Sequence, residues 1–239
     1  MKMTKTTISL GITLALTLAA NGAMASAHGS KVVDPWTTAD WLQTKRDMPQ
    51  GDVIRGEKLA NDGYCYSCHG VKGVNPTQAT PSLAGQNATY TYKMLLDYKS
   101  GLFHIDHKSD VMIDLMSTYN QQQMADLAVY YEAQDLPHLQ YAPEVSTATA
   151  KTSKMVRKGD VSRLIVPCAS CHGAHGEGGL NETPALAGMS PRMFVRHMNA
   201  YRSGDRKNDV NSSMGQFTHD LTDAEIDALA DYYATLSAK

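Results

Sequence analysis

The spacing of apolar positions divides this 239-residue chain into a leading apolar block, a short tryptophan-bearing stretch and two helical halves. Ile8 to Ala20 is uncharged and apolar, with Lys2 and Lys5 ahead of it and Ala23-Met24-Ala25 or Ala25-Ser26-Ala27 behind it as cleavage sites. That pattern reads as a secretory signal peptide over residues 1–27, because the run is shorter than the roughly 20 residues that a membrane span needs. Farther on, Met193, Phe194, His197, Met198 and Tyr201 recur at three- and four-residue steps, which predicts an amphipathic helix opened by Ser190-Pro191 and stopped by Gly204. Thr222 and Glu225 form a capping box for a last helix, with Leu221 and Ile226 placed as its hydrophobic staple. The first half repeats this with Asn120 and Gln123, and with Tyr119 against Met124. Without any alternating strand pattern, the expected class is all-α.

The two helical halves are copies of one another. RGEKLANDGYCYSCHG (55–70) pairs with KGDVSRLIVPCASCHG (158–173), TPSLAGQ (80–86) with TPALAGM (183–189), LLDYKSG (95–101) with MNAYRSG (198–204), and MADLAVYYEA (124–133) with IDALADYYAT (226–235). A repeat kept in register through separate blocks is a duplication. It divides the chain into an N-terminal extension (28–50), a first domain (51–136), a linker (137–154) interrupted by Pro137 and Pro143, and a second domain (155–239). The extension has no counterpart in the second half and holds both tryptophans, Trp36 and Trp41. It is expected to pack against the first domain, with contact to a partner protein as the alternative.

Charge narrows the function classes. Loss of Lys2 and Lys5 with the leader takes the formal net charge from -2 to -4, too weakly acidic and too well mixed for a nucleic-acid binder.

The chemistry-bearing residues are four cysteines, Cys65, Cys68, Cys168 and Cys171, arranged as two C-x-x-C pairs each followed at once by a histidine, His69 or His172. A thioredoxin-type redox pair needs flanking strands, and none is predicted. A single zinc site needs pairs that converge, commonly about 12 to 20 residues apart, whereas these lie in two copies of one domain. Haem attachment uses every group of the motif: each thiol adds to one vinyl group, and the following histidine is placed to bind iron from one face. Two covalently bound haem c groups are the expectation, with zinc or a disulfide as the alternatives. Each half has only about 80 residues and a correspondingly small core, so a buried porphyrin would supply missing apolar mass.

For the sixth ligand, Met112 and Met214 stand in matching positions, each ahead of its own Tyr-Tyr pair at Tyr130 or Tyr232. His104 and His107 lie close to Met112 and are its competitors for iron. Pro81 and Pro184 each follow the proximal histidine in the same register, where a proline-fixed carbonyl could accept the imidazole N–H.

The haem motif followed by Gly, then P-x-L-A-G, Y-x-S-G, a lone methionine and D-x-A-x-Y-Y, present twice, resembles the dihaem class I cytochromes c of the cytochrome c4 type. The resemblance covers about residues 52 to 236. It implies two tandem cytochrome c domains, each with a His/Met haem, and a periplasmic electron carrier, free or peripherally associated with the membrane, rather than an enzyme. It also implies that Pro81 and Pro184 orient His69 and His172. The copies depart from one another after their helix-ending glycines, where Gly101-Leu102-Phe103 faces Gly204-Asp205-Arg206. Expected partners are redox proteins, such as a quinol-oxidising donor and a terminal oxidase or reductase, with no small-molecule substrate. Residues 28–150 carry nine basic and fourteen acidic side chains against eleven and ten in 151–239, so the domains could favour different partners. Two other readings remain: the cytochrome subunit of a catalytic complex, such as a flavoprotein oxidising sulfide, and a dihaem peroxidase in which one haem lacks its sixth ligand.

Overall fold

The computed structural model describes residues 34–75, 77–135, 147–180 and 182–236. The expected leader, residues 28–33 of the extension and 137–146 of the linker lie outside the described residues. An extension helix α1 (Thr38–Arg46) precedes a first half made of α2 (Val53–Asp62), α3 (Tyr66–His69), α4 (Ala88–Ser100), α5 (Lys108–Ser117) and α6 (Gln121–Glu132). The second half follows with α7 (Ala150–Lys158), α8 (Ala169–His172), α9 (Pro191–Ser203), α10 (Ser213–Thr218) and α11 (Asp223–Ala234). The described residues contain no β-strand, only an isolated bridge between Asp160 and Ile165. None of their helices is long and apolar enough to cross a membrane.

Local signals place these helices. The Asn120 and Thr222 side chains accept from the backbone N–H of Gln123 and Glu225, whose own side chains reach back to complete each capping box. Ser190 caps α9 with Pro191 behind it, and α4 and α9 both end on a left-handed glycine, Gly101 (φ 77°) and Gly204 (φ 79°). Leu221 and Ile226 are buried in one cluster with Phe194, Leu229 and Tyr233. Tyr119 packs on the cluster that contains Met124, Tyr92 and Met116. Lys99 and Arg202, matched in register, each leave the end of their helix to donate to main-chain carbonyls ahead of the last helix: Lys99 to Ser117 and Tyr119 (2.9 and 2.7 Å), Arg202 to Leu221 (2.8 Å).

The opening helices of the halves diverge. In α2, a Cβ added to Gly56 would lie 2.1 Å from the carbonyl oxygen of Asp126, so only glycine lets α2 run this close to α6. Its register partner Gly159 instead ends α7 with φ 64°, and the chain turns through the Asp160–Ile165 bridge toward the second motif. α7 itself starts at Ala150, ahead of the expected domain boundary at 155, because Thr149 and Thr152 close a capping box. With threonine where Glu or Gln is usual, that box is hard to see in the sequence.

The extension does more than pack on the first domain. Trp36 Nε1 donates to Asp97 Oδ1 of the first half (2.6 Å), and Trp41 Nε1 donates to Glu182 Oε2 of the second (2.5 Å). Trp41 is 2% exposed, so α1 is anchored through a fully desolvated indole. Between the halves, Gln86 makes two hydrogen bonds to the main chain of Ala185, Asn87 donates to Gly179 O, and Arg196 pairs with Asp106 at 2.6 Å.

Candidate haem-binding sites

Each C-x-x-C-H motif is one tight turn. His69 N donates to Cys65 O (2.9 Å) and His172 N to Cys168 O (3.0 Å), so both thiols and the imidazole of a motif project from a single coil of helix. No disulfide joins the four cysteines; Cys68 and Cys171 are exposed, while Cys65 and Cys168 are half-buried. Burial pushes the Cys65 and Cys168 thiols above their ordinary range. The residue after each histidine must be glycine: Gly70 (φ 78°) and Gly173 (φ 85°) turn the chain out of the helix, and a Cβ on Gly70 would sit 1.9 Å from Val74 O.

Both histidines are buried, and both spend one ring nitrogen in the same way. His69 Nδ1 lies 2.8 Å from Pro81 O, and His172 Nδ1 lies 2.9 Å from Pro184 O. A carbonyl oxygen only accepts, so Nδ1 carries the proton and donates, leaving Nε2 as the lone-pair nitrogen. Among the described residues Nε2 has no hydrogen-bond partner in either half. Burial pushes both imidazoles below their ordinary pKa, against the pull of the proline carbonyls, so the neutral, ligating form prevails.

The proline loops are tied down by matching bonds. Leu83 and Ala84 N–H donate to Gly73 O (2.8 and 3.2 Å), and Leu186 and Ala187 N–H donate to Gly176 O (2.7 and 2.9 Å). In the first half the Asn75 side chain additionally donates to Cys68 O (3.1 Å) and Thr80 O (2.7 Å), holding loop and motif together. The second half does this with main-chain amides, Gly178 N to His172 O (2.9 Å) and Gly179 N to Thr183 O (3.2 Å). Asn75 escaped the sequence reading because the second copy has glycines in its place.

Met112 lies on α5, half-buried against the cluster of Tyr92 and Met116. Met214 lies on α10, half-buried against the same cluster as Cys168. Its N–H donates to Asp209 Oδ2 at 2.6 Å. His104 is exposed and bonded through Nε2 to Asp110 (2.8 Å), and His107 is exposed at the start of α5. Neither histidine shares the apolar wall on which Met112 packs. Among the described residues no three His, Cys, Asp or Glu side chains converge on a point that could hold a metal ion.

This donor set fits a covalently attached haem: a thiol pair, a buried neutral imidazole with a free Nε2 and a thioether against the core, present twice. The family model described as cytochrome c matches residues 53–133 and 162–237. A thiosulfate dehydrogenase electron acceptor from Stutzerimonas stutzeri is 30% identical over 198 residues, covering 80% of this chain and 90% of that protein. Cytochrome c4 from Thiocapsa roseopersicina is 31% identical over 189 residues, covering 78% and 94%. The structure of reduced recombinant cytochrome c4 from Pseudomonas stutzeri aligns with a TM-score of 0.65 at 28% identity, covering 78% of this chain and 99% of that one. The chain belongs to the cytochrome c family, as an electron-transfer protein of the dihaem cytochrome c4 type with two covalently bound haem c groups.

Proposed function

We propose that this protein is a periplasmic electron carrier of a respiratory chain, taking electrons from a donor such as a quinol-oxidising complex and delivering them to a terminal oxidase or reductase. The observation that supports this most is the twofold donor set, a buried histidine oriented by a proline carbonyl with a core-packed methionine in each half. Cys65, Cys68, Cys168 and Cys171 would hold the two haems, His69 and His172 would bind one face of each iron, and Met112 and Met214 the other. Each haem, when bound, supplies an iron that cycles between two oxidation states, at a potential that methionine ligation raises. Pro81 and Pro184 fix the ring planes of the histidines and keep Nε2 deprotonated. With both faces occupied by protein ligands no coordination site is left for a substrate, which separates this reading from a peroxidase.

The test is a redox titration of the purified holoprotein with ligand challenge. Two reversible one-electron steps are expected, and carbon monoxide and hydrogen peroxide should leave the spectra unchanged. Ligand binding or peroxide turnover would defeat the carrier reading. A relative whose name describes an electron acceptor of thiosulfate dehydrogenase supports a second, related reading, in which this chain works as a cytochrome partner of a dehydrogenase. Its mark would be a dehydrogenase subunit that co-purifies with the chain and reduces it directly.

A further inference from the structure

Trp36 and Trp41 lie ahead of residue 53, where the family match begins, and their contacts reach both halves. In the first half, Trp36 Nε1 donates to Asp97, which also accepts from Lys93 Nζ at 2.7 Å. Lys93 and Asp97 are fully buried, and Lys93 donates across the junction to the carbonyl of Asn208. Asn208 Nδ2 returns a bond to Asp97 Oδ2 (2.6 Å). The Lys93 ammonium lies 5.6 Å from the Trp36 ring centre and 6.0 Å from that of Trp41. The two indoles therefore roof an ion pair that spans the halves, and excluding water strengthens each of its bonds.

In the second half the same segment holds two stretches, one beside Pro184 and one before Met214. Trp41 Nε1 donates to Glu182, two residues before Pro184. Trp36 O accepts from Asn211 N (2.8 Å), while Asn211 Nδ2 donates to Thr38 Oγ1 (2.7 Å) and Thr38 N to Asn211 Oδ1 (3.3 Å). Asn211 and Ser212 both have positive φ (56° and 51°), a costly turn for residues with side chains, and it stands directly before α10 and Met214.

We propose that residues 36–41 form a clamp that locks the two haem-bearing halves in one orientation, with Trp36 and Trp41 as positioning residues for electron exchange between them. In that exchange one electron leaves the reduced iron of one half and reduces the oxidised iron of the other, with no other reactant. Its rate falls exponentially with separation, so a loosened junction slows it. The inference rests on the dihaem carrier reading.

The test uses holoprotein carrying Trp36→Ala, Trp41→Ala, or Glu182→Ala, the last removing the hydrogen bond of Trp41 to the second half without opening the core. Intramolecular exchange is followed after rapid photoreduction at sub-stoichiometric electrons, and amide hydrogen exchange is read at Ala185 and Asn211. The expected result is unchanged haem content and spectra in each half, severalfold slower exchange, and faster amide exchange at both positions by about tenfold or more. Wild-type exchange kinetics in Trp41→Ala and Glu182→Ala would overturn the clamp, as would loosened amides with an unchanged electron rate. An absence of exchange in the wild-type protein would also overturn it, whereas ligand binding or peroxide turnover would overturn the carrier reading beneath it.

Discussion

In the first half the amide of Gly85 donates to Tyr131 O at 2.8 Å, and in the second the amide of Gly188 donates to Tyr233 O at 3.0 Å. Around the histidines the copies share this bond, the histidine-to-proline contact and the paired amides on Gly73 O and Gly176 O, and differ only in how Asn75 or the Gly178 and Gly179 amides tie loop to motif. They disagree where they meet. Phe103 and Arg206 hold matching places after their glycines, and the Arg206 guanidinium lies 4.9 Å from the Phe103 ring centre and 4.3 Å from that of Tyr201. It also donates to Asn208 Oδ1 (2.9 Å) and Tyr90 OH (3.3 Å). Lys93 and Asp97, whose counterparts are Arg196 and Ala200, carry the buried pair on one side only, and Arg196 pairs with Asp106 instead. Matched positions meet across the seam in both senses, Arg206 against Met94 and Phe103 against His197, Lys93 against Asn208 and Arg196 against Asp106, but with different side chains each time. The junction and the opening helices therefore carry the differences between the halves, while the histidine-to-proline contacts follow one pattern.

Removal of one motif should have the largest effect. Replacing Cys65 and Cys68 with alanine should leave one haem of the two and unfold the first half, and replacing Cys168 and Cys171 should do the reverse, read by haem quantitation and calorimetry. Loss of both haems from either variant would show that the halves fold only together.

Glycine substitutions come next. Gly56→Ala should drive α2 from α6 and cost about 3 kcal/mol, since the new Cβ meets backbone and neither helix can yield. Gly159→Ala should cost a comparable amount for another reason, a left-handed cap whose Cβ would approach Ile165 O to 2.1 Å. Two-stage thermal melts should place each loss in its own half.

The smallest effect is electrostatic. In the second half, Glu225 accepts from Arg163 at 3.0 and 2.7 Å, which holds its carboxyl down at about 2, well below its ordinary 4.5. A carboxyl depressed on folding stabilises above its unfolded pKa and loses that contribution as pH falls, here between about pH 4.5 and 2. Arg163→Ala should lower the second half's stability slightly at neutral pH and flatten its stability profile in that window. Gln123 occupies the matching place in the first half, where Asp126 is lowered by its hydrogen bond to Arg55 instead. The Arg163 variant should leave the first half's acid transition unmoved.

Much of this was legible in the sequence because it is local. The capping residues Asn120, Ser190 and Thr222, the stopping glycines Gly101 and Gly204, and the all-α class follow from neighbours a few positions apart. The His69–Pro81 and His172–Pro184 contacts were readable because the second copy reproduced their spacing. The clamp was not, since Trp36–Asp97 and Trp41–Glu182 join residues 61 and 141 positions apart and have no second copy to compare. The buried polar cluster of Lys93, Asp97, Asn208 and Arg206 was hidden for the same reason. In a helical pattern Lys93 reads as a solvated lysine, yet between the two tryptophans and the docked second half it is buried.

The central claim is that each half closes its iron with a histidine and a methionine. Its most direct test is the sulfur-to-iron charge-transfer absorption of the oxidised holoprotein, compared with Met112→Ala and Met214→Ala. The prediction is a band in the wild-type protein that falls to about half in either variant, with His104→Ala and His107→Ala leaving it untouched. A band unaffected by Met112→Ala, or a low-spin first haem lost on replacing His104 or His107, would contradict it.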